Sequence, residues 1–140
     1  MESCKRTLVD EQMKKVLVTG SSGYIGQHLC LYLCKMGYQV TGLDRHDIGG
    51  TGCHTFIHQS ILDTNDIPGD YDAVVLDECH SLLTNHVSFL GPFTGRILGL
   101  TGTPPRYNKS EKGKMVAEFC PMLFKYITDD AVGDDIINDY

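Results

Sequence analysis

Between residues 15 and 44 the chain leaves few folds open. Lys15–Thr19 (KVLVT) is an apolar strand, and Gly20, Gly23 and Gly26 follow it at intervals of three. Ile25, Leu29, Leu33 and Met36 then recur at helical spacing. Lys35 lies in the last turn, and Gly37 is suited to the left-handed cap that ends a helix. Gln39–Leu43 is a second apolar strand, closed by Asp44. This order predicts a βαβ unit whose first turn is made of glycine, with two parallel strands and a helix across one face.

The glycines have separate tasks in such a unit. Gly20 permits the sharp turn off the strand, Gly23 removes a side chain where a pyrophosphate approaches, and Gly26 lets helix and strand pack closely. Backbone N–H groups at the helix start then point at phosphate oxygens. Asp44, 24 residues after Gly20, stands where a carboxylate accepts hydrogen bonds from an adenosine ribose. The alternative is a βα turn that uses glycine for packing alone.

The segment KVLVTGSSGYIGQHLCLYLCKMGYQVTGLDR resembles the N-terminus of the extended short-chain dehydrogenase/reductase family, in particular nucleotide-sugar epimerases and dehydratases. The resemblance covers about residues 15–45. It implies NAD as cofactor, with Gly20, Ser21, Ser22, Gly23, Tyr24, Ile25 and Gly26 forming the pyrophosphate loop, Asp44 on the ribose and Arg45 over the adenine. The family's TyrxxxLys pair has no counterpart, since none of the seven tyrosines is followed by Lys four residues later. Hydride chemistry is therefore not expected.

A second constellation lies further on. Ala73–Leu76 is a buried-type strand running into Asp77-Glu78-Cys79-His80, and Ile97–Leu100 is another, running into Thr101-Gly102-Thr103-Pro104. An acid pair at a strand end can be a simple solvent-facing cap. Together, however, the two strings resemble motifs II and III of superfamily 2 helicases of the DExH type, over about residues 54–140. That resemblance implies ATP with Mg²⁺ held by Asp77 through water, Glu78 orienting the attacking water, His80 coupling the nucleotide to the rest of the machine, and Thr101 and Thr103 relaying between them. Nucleic acid becomes a partner only on this reading. The GxxxxGK[ST] loop that such motors need is absent from the sequence, so ATP turnover by this chain alone is not expected.

Both resemblances point to one fold class, a three-layer α/β sandwich with a mostly parallel sheet, Rossmann-like or RecA-like. The expected organisation is a polar lead-in over residues 1–14 and one nucleotide-binding domain over 15–140, dinucleotide-type in 15–45 and helicase-like in 54–140. The chain reads as a splice, and natural fusion, rearrangement and deliberate construction all remain open. The two parents differ in strand order. A dehydrogenase sets strand 73–77 beside strand 15–19, whereas a motor inserts strand 96–100 between them. The motor order is the expectation here, because more of the chain resembles that parent. In the dehydrogenase order Asp77 and Glu78 face the pyrophosphate. Like charges about 5 Å apart repel by roughly 3 kcal/mol at an effective dielectric near 20, so any NAD or ATP binding is expected to be weak and sensitive to Mg²⁺.

The remaining segments read as follows. Residues 46–53 are loop, Thr55–His58 is a short strand, 67–70 (IPGD) is a turn, and 81–90 is helix or irregular. Residues 106–114 are polar loop or helix start, 115–119 are helix, 122–127 are a last strand, and the acidic tail can begin one more helix. The net charge of −6 sits in the second half of the chain and argues against a broad phosphate-binding face. Cysteines at 4, 30, 34, 53, 79 and 120 form no CxxC pair. Cys53-His54 and Cys79-His80 invite a zinc reading, but reduced, packed thiols are the simpler one. With no apolar run of membrane length and no apolar stretch of signal type at the start, the cytoplasm is the expected location. Oligomeric state is not legible.

Overall fold

The computed structural model describes residues 14–47, 53–61, 70–82, 84–102, 110–124 and 128–135. Five parallel strands form one sheet: β1 (Lys15–Thr19), β2 (Gln39–Asp44), β3 (Thr55–His58), β4 (Ala73–Asp77) and β5 (Arg96–Leu100). Their order is β3-β2-β1-β4-β5. Helix α1 (Tyr24–Lys35) joins β1 to β2, α2 (Thr84–Leu90) lies between β4 and β5, and α3 (Glu111–Phe119) and α4 (Thr128–Gly133) follow β5. This is a Rossmann-like α/β fold.

Alternation along the strands builds the three layers. Val16, Val18, Val40 and Val75 pack with Cys30 of α1 on one face of the sheet. Leu17, Leu43, Val74 and Leu76 pack on the other with Leu82, Leu90 of α2, and Val116 and Cys120 from α3 and its end. Leu17 and Val18 lose all contact with solvent, and each such burial is worth about 1.5–3 kcal/mol. Helix α1 stops as its sequence requires. Gly37 adopts φ +94°, its N–H donates to Cys34 O (3.1 Å), and the N–H of Tyr38 donates to Leu33 O (3.0 Å), which together form a Schellman cap. Helix α3 begins at Ser110, whose hydroxyl accepts from the Gly113 N–H at 3.0 Å.

The expected motor order is wrong. β1 pairs directly with β4 in the register Val16↔Ala73, Leu17↔Val74, Val18↔Val75, and β5 pairs with the far side of β4. The side chains account for this. A central strand is covered on both faces and must be apolar along its length. β4 presents three consecutive buried residues. β5 opens on exposed Arg96, and its Leu98 remains 46% exposed, a pattern suited to an edge.

A second correction concerns the last strand. Met122, Leu123 and Phe124 have no regular secondary structure and are not in a strand, with Leu123 and Phe124 largely exposed. Apolar composition makes a strand only where a sheet edge accepts it, and no sheet pairing reaches these residues. Residues 125–127 lie outside the described residues, as do 1–13, 48–52, 62–69, 83, 103–109 and 136–140, and with them most of the lead-in, part of the 46–53 loop, most of the IPGD turn and the end of the acidic tail. The segment 81–90 proves to be the end of a 3-10 turn over Cys79–Ser81 followed by α2. No helix among the described residues is long and apolar enough to cross a membrane.

Candidate nucleotide site

Parallel strands bring their C-terminal ends to one rim of the sheet, and the order reverses between β1 and β4. In open α/β sheets the ligand crevice forms there. One buried hydroxyl stitches these two ends together beyond their ladder. Thr19 Oγ1 donates to Val75 O and accepts from the Asp77 N–H, both at 3.1 Å.

The glycine loop begins at Gly20, where φ is +66°. Its N–H reaches across to Leu43 O at 2.8 Å. A β-carbon built on Gly20 would lie 3.0 Å from Asp77 Oδ2 and 3.1 Å from Asp77 Cβ, so the acid leans directly on the loop. Gly26 is confined more tightly still, since a β-carbon there would stand 2.0 Å from Gly20 O. The first bond of the α1 ladder runs from Gln27 N to Gly23 O at 2.9 Å. The amides of Tyr24, Ile25 and Gly26 precede that ladder, as at any helix start.

Asp44 is tied to the same loop. Its Oδ2 accepts from the Ser22 N–H at 3.0 Å and its Oδ1 from the His46 N–H at 2.8 Å. The Ser22 hydroxyl donates to His46 O, and Gln27 Nε2 donates to Ser22 O at 2.8 Å. Each Asp44 oxygen uses one lone pair in these bonds and retains another.

The acid turn follows β4. Glu78 sits in the left-handed region (φ 54°, ψ 47°), a strained place for a residue with a β-carbon. Its N–H donates to Asp77 Oδ1 at 3.0 Å. His80 Nε2 lies 3.2 Å from Glu78 Oε2, and its Nδ1 lies 2.6 Å from Thr101 Oγ1, so the ring bridges the ends of β4 and β5. Burial pushes the Asp77 carboxyl above its ordinary value. The charges of Glu78 and Asp44 push the same way, while the Glu78 amide and His80 oppose them.

These parts surround a cavity of about 590 Å³, a size that suits a nucleoside or nucleotide. Gly20, Ser22, Gly23, Asp44, Arg45, Asp77 and Glu78 are all among its lining residues. Other predicted residues lie apart. Ser21 is fully buried, and its hydroxyl, which has no hydrogen-bond partner, packs against Gly42. Tyr24 and Ile25 are exposed on α1, and Gly26 sits beneath the loop. His80 and Thr101 stand behind the acid turn, and Thr103 lies outside the described residues.

The sequence reasoning missed Thr19, His46, Ile61, Leu82 and His86, which also line the cavity. Thr19 and Ile61 had a usable signal, because each follows or ends a strand on the ligand rim. His86 had none. It is buried in α2 and holds Ile61 O through Nε2 at 2.6 Å. The zinc reading finds no support in the arrangement. His54 Nδ1 accepts from the Val40 N–H at 3.1 Å, with Cys34 Sγ at 3.7 Å. No group of three or more His, Cys, Asp or Glu disposed to hold a metal occurs among the described residues.

Residues 16–75 match the NAD dependent epimerase/dehydratase family. The UDP-glucose 4-epimerase of Klebsiella pneumoniae is 60% identical over 30 residues, which is 21% of this chain and 22% of that protein. The UDP-glucose 4-epimerase of Halalkalibacterium halodurans is 45% identical over 51 residues, 34% of this chain and 15% of that protein. The matched segments thus span less than a quarter of these curated relatives.

Proposed function

We propose that this chain is a binding domain for an adenine nucleotide of the NAD type and that it carries out no turnover by itself. The observation that carries the reading is Asp44, whose carboxylate is fixed by the Ser22 and His46 amides at the edge of a cavity shared with the glycine loop. The family match over 16–75 supports it. Asp44 would take the ribose hydroxyls. Leu43, Ile61 and Leu82 would supply apolar surface for the base, with Arg45 lining the same cavity, and the Gly20–Gly26 turn would receive the pyrophosphate. The chain's own residues bind and orient. No TyrxxxLys pair is present to move a proton to or from a sugar hydroxyl.

Asp77 and Glu78 set the terms of that binding. In the strand order of this sheet they border the loop, so phosphates meet carboxylates. Mg²⁺ held by Asp77 through water would supply the missing positive charge between them. Affinity for NAD or ATP is therefore weak without Mg²⁺ and rises with it. Titration calorimetry in the presence and absence of Mg²⁺ tests this, and tight binding that ignores the metal refutes it.

A second reading, an ATPase fragment of helicase type completed by another chain, is favoured by one observation, the 2.6 Å approach of His80 to Thr101 across the two strings that resemble motifs II and III. The strand order counts against it. A DNA-stimulated ATPase assay with Glu78→Gln as control separates the two. A third reading, a recombined scaffold without ligand, requires the same thermal stability with and without NAD, ATP and Mg²⁺.

A further inference from the structure

We propose that Cys79 and Cys120 are an oxidisable pair, which a low-molecular-weight disulfide converts to an intramolecular disulfide that ties the acid turn to the end of α3. The bond is independent of what the cavity binds.

The two sulfurs come from different elements. Cys79 opens the 3-10 turn that follows β4, and Cys120 caps α3, which packs against that turn. Both side chains are buried, and they converge on one point. A β-carbon built on Gly99 would stand 2.7 Å from Cys120 Sγ and 2.8 Å from Cys79 Sγ, so both sulfurs occupy the space that a side chain at position 99 would take. Glycine weakens the interior of a strand, and in β5 it is the residue that lets these two thiols meet. They are hydrogen-bonded to each other. Packing alone accounts for one buried sulfur here. Two in mutual contact, from segments about 40 residues apart, are what a cross-link between elements requires. Cys79 follows Glu78, whose backbone is left-handed, and it is itself a lining residue of the cavity. The bond therefore anchors a strained turn and one part of the cavity wall to α3.

Burial raises both thiols, and their mutual hydrogen bond then lowers Cys79 and raises Cys120, so Cys79 ionises first. Its thiolate attacks one sulfur of the small disulfide, whose S–S bond breaks to release a thiolate that takes up the proton Cys79 lost. The Cys120 thiolate then attacks Cys79 Sγ of the mixed disulfide, and the second small thiol leaves in the same way. The protein gives up two electrons and two protons, and the small disulfide gains them. Because the pair is enclosed, the exchange follows opening of the turn and takes minutes to hours.

The full chain is incubated with excess oxidised glutathione, digested without reductant and mapped by mass spectrometry. The expected product joins Cys79 to Cys120 and carries no glutathione at either residue. Its Tm is expected to rise by roughly 10 °C, the effect of closing a loop of about 40 residues, and dithiothreitol reverses the rise. Cys120→Ser, treated in the same way, is expected to keep glutathione on Cys79 and to show no such rise. Gly99→Ala, whose methyl group pushes the sulfurs apart, is expected to lose most of the cross-linked product. Circular dichroism checks that this variant is folded, and Cys120→Ser carries the comparison if it is not. Three results overturn the assignment: Cys79 and Cys120 remain unjoined, the oxidant joins either of them to Cys30, Cys34 or Cys53 instead, or the bond forms and lowers the Tm.

Discussion

Substituting Gly26 by Ala tests the packing of α1 against the loop. A β-carbon at this position falls 2.0 Å from Gly20 O and 2.9 Å from Gly20 C and Ser21 Cα. Carbon and oxygen need about 3.3 Å or more between them, so the helix or the loop must shift by more than 1 Å. Both are backbone, and the loop is pinned by Gly20 N on Leu43 O (2.8 Å) and Gly23 N on Gly20 O (3.1 Å). Overpacking of this kind costs about 1–3 kcal/mol and sometimes more, against a helical propensity gain of about 1 kcal/mol. Because rigid backbone lies on both sides, the upper end applies, a net loss of roughly 2 kcal/mol once the propensity gain is subtracted, or roughly 7 °C in Tm for a chain of this length. Urea unfolding followed by far-UV circular dichroism measures it. Gly133→Ala is the control, since nothing lies within 4 Å of its β-carbon position. It should be neutral or stabilising by about 0.5 kcal/mol. A Gly26→Ala midpoint within about 0.5 kcal/mol of the parent, at unchanged m-value, refutes the reasoning.

Two further substitutions test the rim. Thr19→Val keeps the shape of a buried side chain but removes the hydroxyl between Val75 O and Asp77 N; a loss of about 2 kcal/mol is expected, and the same urea experiment reads it. Asp77→Asn tests the titration. The folded state raises the Asp77 carboxyl, so it holds the proton more firmly than the unfolded chain does, and stability declines as pH rises through the carboxylate range to the raised folded value. The ligand-free variant should therefore be more stable than the parent at neutral pH, with the gap closing below the ordinary carboxylate range. A gap that is independent of pH, measured by thermal unfolding across that range, contradicts this.

The local elements were legible because each carries its own signal. Alternating or continuous apolar runs marked all five strands, and the i, i+4, i+8 pattern through Ile25, Leu29 and Leu33 marked α1. Strand order was not legible from resemblance, because five short parallel strands carry no label of position. The relevant clue was burial demand: AVVL can be covered on both faces and RILGL cannot. Met122–Phe124 misled for the opposite reason, being apolar but without a sheet edge to join. At the site, Gly20, Asp44, Asp77 and Glu78 followed from rules about strand ends. Ser21 escaped those rules, because side-chain direction inside a tight loop depends on backbone angles that spacing does not reveal. The left-handed turn at Glu78 and the role of His86 arise only from tertiary packing.

The sulfur atoms have a consequence of their own. Cys79 and Cys120 meet above Gly99, where even a single extra carbon would touch both, and Cys30 lies fully enclosed between α1 and the sheet. Burial pushes the Cys120 thiol up to about 11 and raises Cys79 as well; Cys30 is raised further still, chiefly through its hydrogen bond with Cys53. Alkylating reagents attack the anion, so in the closed molecule these three positions stay silent, and the rate at which they become labelled is a clock for how often each layer of the sandwich parts from the sheet.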